Sequence, residues 1–410
     1  MRDWFSSTFP HQGGGLKAHR LNSLPPRYLL PVMTDTAQAA TPAERLPVAV
    51  LTGFLGSGKT TLLNRLLKHP GLGETAVIVN EFGEIGIDNA LIEKLDGNTV
   101  LLDSGCLCCT VREDLANTMR DLFVKRLRGE IPMFKNLLIE TTGLADPAPI
   151  IHTLMTDPLI STRFRLDSVV STVDAVNGMA TLNNHQEAVK QAAMADRIVV
   201  TKTDIAKPDD IAALLLRLKA INPAAPVLRA AEQEVIPDAL LRAGLYDPRS
   251  KTADVQNWLN EEAYVEAHSH EAHEPGGGHD HDHHHHGDHH HDHDHAHLDV
   301  NRHDDHISSF CLSWDEPLVW EQVSTWLDLL AAYRGDNLLR VKGILNIQGL
   351  DKPVVVHGVQ HLFHPPATLP EWPKGDDKRS RIVFITKDID RALIEQTIKS
   401  VTDAAAPTAN

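Results

Sequence analysis

The stretch Gly53-Phe-Leu-Gly-Ser-Gly-Lys-Thr60 reads GFLGSGKT and matches the pattern G-x-x-x-x-G-K-[ST]. It follows a short apolar run, LPVAVLT (46–52), and opens a segment of helical spacing, TLLNRLLKH (61–69). A strand, a glycine-rich loop and a helix, in that order, form the context this pattern needs. The glycines let successive backbone N–H groups turn inward around phosphate oxygens, and the helix N-terminus adds partial positive charge. On this reading Gly53, Gly56, Ser57 and Gly58 cradle phosphates. Lys59 reaches the β- and γ-phosphates and takes part in catalysis, and the Thr60 hydroxyl holds Mg²⁺.

Further short runs rich in Val, Ile and Leu follow: AVIVN (76–80), TVLLD (99–103), NLLIE (136–140), SVVSTVD (168–174), RIVVTK (197–202) and PVLRA (226–230). Continuous apolar runs suit strands buried on both faces of a parallel sheet. The segments between them, such as 111–128 and 208–221, read as helices. This alternation predicts a three-layer α/β domain with a mostly parallel sheet over residues 46–255. Glu140 ends the run NLLIE, where an acidic residue near a phosphate loop is placed to bind Mg²⁺ through water. Gly143 lets the next turn approach the γ-phosphate. Thr201-Lys-Thr-Asp204 ends a third strand, where the Asp204 carboxylate can accept two hydrogen bonds from a guanine edge. That predicts GTP as the nucleotide. The bland alternative makes Asp204 an ordinary helix N-cap.

The 410 residues carry a formal net charge of −16, which argues against nucleic acid as a partner. No apolar run reaches the ~18 residues that a membrane span needs, and four cysteines with thiols available for metal fit a reduced cytosol, so a soluble, cytoplasmic protein is expected. Four cysteines do not make a disulfide framework. Three of them, Cys106, Cys108 and Cys109, cluster in SGCLCC (104–109), and the fourth, Cys311, reads as a small buried apolar residue. Thiolates are soft ligands suited to Zn²⁺. The C-x-C-C spacing supplies at most three sulfurs and leaves room for an exchangeable ligand, although a redox switch would use the same thiols. Glu81 and Glu84, in NEFGE (80–84), can each supply oxygen to a metal or position the attacking water; a solvated loop is the plain alternative.

Seventeen of the 25 histidines lie within 268–306, interleaved with Asp and Gly. Such a tract cannot bury enough apolar surface to order itself, and its imidazoles would bind several metal ions weakly. The expected division is a disordered tail (1–45, with Met33 as an alternative start), the α/β domain, a His-rich linker (256–306), a small α+β domain (307–402) and a short tail (403–410). In the α+β domain ISSFCLSW (307–314), LLRVKGILNI (338–347), VVVHGVQHLF (354–363) and RIVFITK (381–387) read as strands, with helices near 317–332 and 389–401. That order, β-α-β-β-β-α, predicts an antiparallel sheet with helices on one face.

Taken together, GFLGSGKTTLLN (53–64), VNEFGEIGID (79–88), SGCLCC (104–109), IETTGLADP (139–147), VDAV (173–176), TKTD (201–204), RVKGILNI (340–347) and VVHGVQHLF (355–363) resemble the CobW family of metallochaperone GTPases. The resemblance covers nearly everything from 46 to 400. It implies a P-loop GTPase domain of the SIMIBI type followed by a CobW C-terminal domain. It also implies Zn²⁺, and in some members Co²⁺ or Ni²⁺, delivered to a client metalloprotein with GTP hydrolysis, and a homodimer as one assembly. Carried over, Cys106, Cys108, Cys109 and Glu84 are the metal ligands, and Gly53 to Thr61 hold phosphates and Mg²⁺. Glu140 is the Walker B acid, Glu81 is one of the groups able to activate water, and Lys202 and Asp204 read guanine. Many GTPases have Asn where this chain has Thr201, which points to looser base discrimination. A passive His-rich metal buffer leaves the phosphate loop unexplained, and a P-loop small-molecule kinase leaves SGCLCC unexplained.

Overall fold

The computed structural model describes residues 45–79, 100–103, 111–230, 237–241 and 307–405. Glu81, Glu84, the three clustered cysteines, the first 44 residues and the His tract lie outside them.

The first sheet has seven strands: β1 (Leu46–Gly53), β2 (Thr75–Val79), β3 (Val100–Asp103), β4 (Asn136–Glu140), β5 (Phe164–Asp174), β6 (Arg197–Thr201) and β7 (Val227–Arg229). Their spatial order is β3-β2-β4-β1-β5-β6-β7. Every pairing is parallel, so the sheet is uniformly rather than mostly parallel. The apolar runs require this, because both faces must be covered. Side chains alternate between two cores with period two. Val48, Val50, Ala76, Ile78, Leu137, Ile139, Ile198 and Val200 enter one. Ala49, Leu51, Val77, Val79, Leu138 and Val199 enter the other.

Helix α1 (Lys59–Leu67) covers the second core with Leu62, Leu63, Leu66 and Leu67. The opposite face is covered by α2 (Val111–Arg128), α3 (Ala148–Thr156), the short α4 (Ile160–Arg163), α5 (Gly178–Asn184), α6 (Gln186–Met194) and α7 (Pro208–Ile221). Helices α2 and α7 have the limits read from sequence, because α7 opens on Pro208 followed by Asp209 and Asp210, as a helix start prefers. Strand β5 is longer than the run SVVSTVD suggested. Phe164, Arg165 and Leu166 extend it alongside β1. A short helix, α8 (Pro237–Leu241), packs Leu240 and Leu241 under the second core.

The second sheet is antiparallel throughout. Its strands β8 (Ile307–Trp314), β9 (Leu338–Leu345), β10 (Val354–Val359), β11 (Leu362–Phe363), β12 (Ala367–Thr368) and β13 (Ser380–Lys387) run in the order β11-β10-β9-β13-β8, with β12 on β10. The run 354–363 is a hairpin rather than one strand. Gln360, at φ 53°, turns the chain, and Val359 then pairs with Leu362. Helices α9 (Trp320–Arg334) and α10 (Arg391–Ala405) cover one face. Trp326 is fully buried there, donates from Nε1 to Thr397 Oγ1 at 2.8 Å and meets Phe384 edge-on. Cys311 is buried and packed with Ile344, Val355 and Val383, as the sequence suggested.

The other face of this sheet docks on the first domain. Leu339, Val359 and Ile385 join the core of the parallel sheet, and Ala224 packs against the Cys311 cluster. His152 on α3 lies 3.2 Å from the Val359 carbonyl. At the centre of the junction Asp196, fully buried, meets Arg340 Nη2 at 2.6 Å and Lys342 Nζ at 2.8 Å. Among the described residues no helix is long and apolar enough to cross a membrane.

Candidate functional site

The site lies at the carboxyl ends of β1, β4, β5 and β6, which the parallel order brings side by side. Gly53, Gly56 and Gly58 all have positive φ, of 140°, 71° and 90°. A side chain at Gly53 would also strike Thr172, its Cβ lying 2.3 Å from Oγ1 and 2.5 Å from the carbonyl oxygen. The loop is braced from β5 by a 2.6 Å hydrogen bond between Ser57 and Thr172. Lys59 is buried and its ammonium donates to the Phe54 carbonyl at 3.1 Å, so it already bridges the loop.

Thr60 Oγ1 donates to Glu140 Oε1 at 2.9 Å. Two residues far apart in sequence thus converge, because β4 lies next to β1 with Leu51 level with Glu140. A hydroxyl and a carboxylate oxygen are the hard donors that Mg²⁺ prefers, so the pair fits the ion. Thr61 follows in the first turn of α1 and is exposed. Gly143 lies against the phosphate loop: a Cβ there would sit 2.7 Å from Leu55 N and 2.8 Å from Leu55 Cα.

The TKTD segment is tied to the same loop. Thr201 Oγ1 donates to the Ser57 carbonyl at 2.7 Å, so Thr at this position still tethers the strand end to the phosphate loop. Lys202 has φ 56° and donates from Nζ to Asp174 Oδ2 at 2.7 Å, while Asp204 is exposed. Asp174 also accepts from the Val176 amide at 2.7 Å and from Asn177 Nδ2 at 3.0 Å. Burial pushes its carboxyl up, but the Lys202 and Asn177 hydrogen bonds, the Val176 amide and the Lys202 charge together hold it below the ordinary carboxylate value.

A cavity of about 240 Å³ beside the loop is lined by Phe54, Gly56, Thr172, Asp174, Gln191 and Lys202, among others. Reading individual motifs missed Asp174 and Gln191 as site residues. Asp174 carried a signal, an acid at a strand's carboxyl end like Glu140. Gln191 carried only a polar residue among alanines. Among the described residues no cluster of three or more His, Cys, Asp or Glu is placed to hold a metal. The clustered cysteines and Glu84 lie outside those residues.

A glycine loop between a parallel strand and a helix, an acid on the adjacent strand and a tethered TKTD turn define a P-loop nucleotide-binding domain. The chain belongs to the CobW family. The model of the CobW/HypB/UreG nucleotide-binding domain matches residues 47–229, and that of the cobalamin synthesis protein cobW C-terminal domain matches 307–402. The zinc chaperone YjiA of Escherichia coli strain K12 is 32% identical over 343 residues, covering 83% of this chain and 93% of that protein. Zinc-regulated GTPase metalloprotein activator 1 of Saccharomyces cerevisiae is 26% identical over 386 residues, covering 87% and 83%. The crystal structure of Zn(II)-bound YjiA GTPase from E. coli superposes with a TM-score of 0.58 at 29% identity, covering 87% of this chain and 99% of that one.

Proposed function

We propose that this chain is a cytoplasmic GTPase that binds Zn²⁺, with Co²⁺ and Ni²⁺ as lesser cargo, at Cys106, Cys108, Cys109 and Glu84. It passes the ion to a client metalloprotein as GTP is hydrolysed. The observation that carries the reading is the strand register. Val79 pairs with both Asp103 and Glu140, so the ends of β3, β2 and β4 are level. Strands lie about 4.8 Å apart. Strand β3 therefore ends at Asp103, roughly 10 Å from the Glu140 carboxyl end, with the cysteines next in sequence, and β2 ends at Val79 between them, with Glu81 and Glu84 next in sequence. The names of the zinc chaperone and zinc-regulated GTPase relatives support the same cargo.

Lys59 and the backbone N–H groups of the loop hold the β- and γ-phosphates. Thr60 and Glu140 would hold Mg²⁺, which when bound offsets charge on the phosphate oxygens. Lys202 and Asp204 take the guanine, with Thr201 keeping their turn against the loop. Gly143 places a backbone N–H beside the γ-phosphate, and the group that orients water is Glu81, Glu84 or one supplied by a partner. Hydrolysis releases the contact at Gly143 and alters the ligand geometry at the cysteines. By linkage, zinc changes nucleotide affinity by the same factor that nucleotide changes zinc affinity.

The test is GTP hydrolysis and GTP affinity with and without stoichiometric Zn²⁺, Co²⁺ and Ni²⁺, for wild type and Cys108→Ser. Zinc should shift both quantities in wild type and neither in the variant. An unchanged GTP dissociation constant with zinc present would sink the coupling.

A further inference from the structure

Helix α6 lies against the nucleotide site at one end and packs against β9 of the second domain. At its start the His185 ring stacks on Phe54 of the phosphate loop, with centroids 4.4 Å apart. In its middle Gln191, 1% exposed, donates from Nε2 to the carbonyls of Gly143 at 3.3 Å and Ala145 at 3.0 Å. Its neighbour Lys190 reaches Asp146 at 3.3 Å. The helix runs from the nucleotide edge of the sheet towards its opposite edge, about 13 Å for nine residues.

There Asn222 Nδ2 donates to the carbonyls of Ala192, Ala193 and Ala195, which fastens the helix end. One residue further, Asp196 accepts from the Val169 amide at 2.9 Å and holds Arg340 and Lys342 of β9. Burial would raise the Asp196 carboxyl, but the two facing cations bring it to about 2, so the carboxylate stays ionised. Breaking such a buried pair from one side is costly, so the junction transmits displacement rather than absorbing it.

We propose that Gln191 is a positioning residue for the Gly143 loop, and that α6 carries the nucleotide-dependent position of that loop to the C-terminal sheet through Asp196. The proposal rests on the nucleotide-binding reading above. A loop drawn towards γ-phosphate pulls the two carbonyls that Gln191 holds, and the helix moves as a rod because packing is bistable rather than soft. The C-terminal domain then reports whether GTP or GDP is bound.

The test is hydrogen exchange of the full chain with Mg²⁺ and either GDP or a non-hydrolysable GTP analogue. Exchange should differ between the two states at 53–60, 186–196 and 338–345, by about fivefold or more at the last, the lower range of ordinary allosteric coupling. Gln191→Leu, close in volume but unable to donate, should keep the difference at 53–60 and lose it at 338–345. Lys342→Met, which leaves the Arg340 contact in place, should diminish the response at 338–345 in the same way and serves where Gln191→Leu does not fold. Identical exchange at 338–345 in wild type overturns the relay, as does an undiminished difference there in either variant. No difference at 53–60 in wild type means that the nucleotide reading itself has failed.

Discussion

Gly143→Ala probes the contact between the Glu140 loop and the phosphate loop. The added Cβ would lie 2.7 Å from Leu55 N and from Leu55 Cδ2, and 2.8 Å from Leu55 Cα. The Cδ2 atom can move, because Leu55 is largely exposed. The N and Cα atoms are phosphate-loop backbone and cannot move independently of the loop. Ordinary contact begins at 3.4 Å, so the two segments must separate by about 0.7 Å. A misplacement near 1 Å, or the loss of one donor to a developing charge, costs on the order of 10²-fold in rate. We therefore expect kcat for GTP hydrolysis to fall roughly 100-fold, about 2.7 kcal/mol of transition-state stabilisation. GDP lacks the γ-phosphate, so its affinity should stay within about threefold, near 0.7 kcal/mol. Phosphate release under saturating GTP gives kcat, and titration with a fluorescent GDP analogue gives the affinity. A kcat within twofold of wild type would show that the loop does not approach the γ-phosphate. An equal loss of GDP affinity would show that the substitution deforms the phosphate loop, and the argument would fail for that reason.

Thr201→Val keeps shape and removes the donor to the Ser57 carbonyl. A neutral hydrogen bond is worth about 1 kcal/mol, so GDP and GTP should both bind about fivefold more weakly with kcat little changed. Unaltered affinities would leave the tether without function. The domain junction should be acid-sensitive. His364 faces Arg340, Arg45 and Asp196, and burial first, then the two arginines, lowers it to about 3 from its ordinary 6.5. The unfolded chain therefore takes up a proton below pH 6.5 that the folded chain refuses, so stability falls as pH drops. Between pH 7 and 5.5 this one group should remove about 1 kcal/mol, read by denaturant unfolding. His364→Gln should show a correspondingly smaller loss, and an identical pH profile would refute it.

Much of the first domain was legible because its signals are local. The apolar runs could only be strands covered on both faces, and GFLGSGKT dictates its own backbone through glycines that must take positive φ. The limits of α2 and α7 followed from their place between apolar runs. Local reading failed where the chain reverses inside one apolar run: the glycine of VVVHGVQHLF, Gly358, lies within strand β10, and it is Gln360 that takes φ 53° at the turn.

By itself the sequence determined the phosphate loop, the strand endings that carry Glu140 and the TKTD turn, and the chemical character of the cysteine cluster. Each depends on residues within a few positions of one another. Only the tertiary structure decided that Thr60 meets Glu140, that Lys202 is held by Asp174, and that α6 joins Gly143 to Arg340 and Lys342. These contacts span 28 to 144 residues. Strand order and sheet docking set them, and those follow from burying whole faces at once, not from the pattern of any one segment.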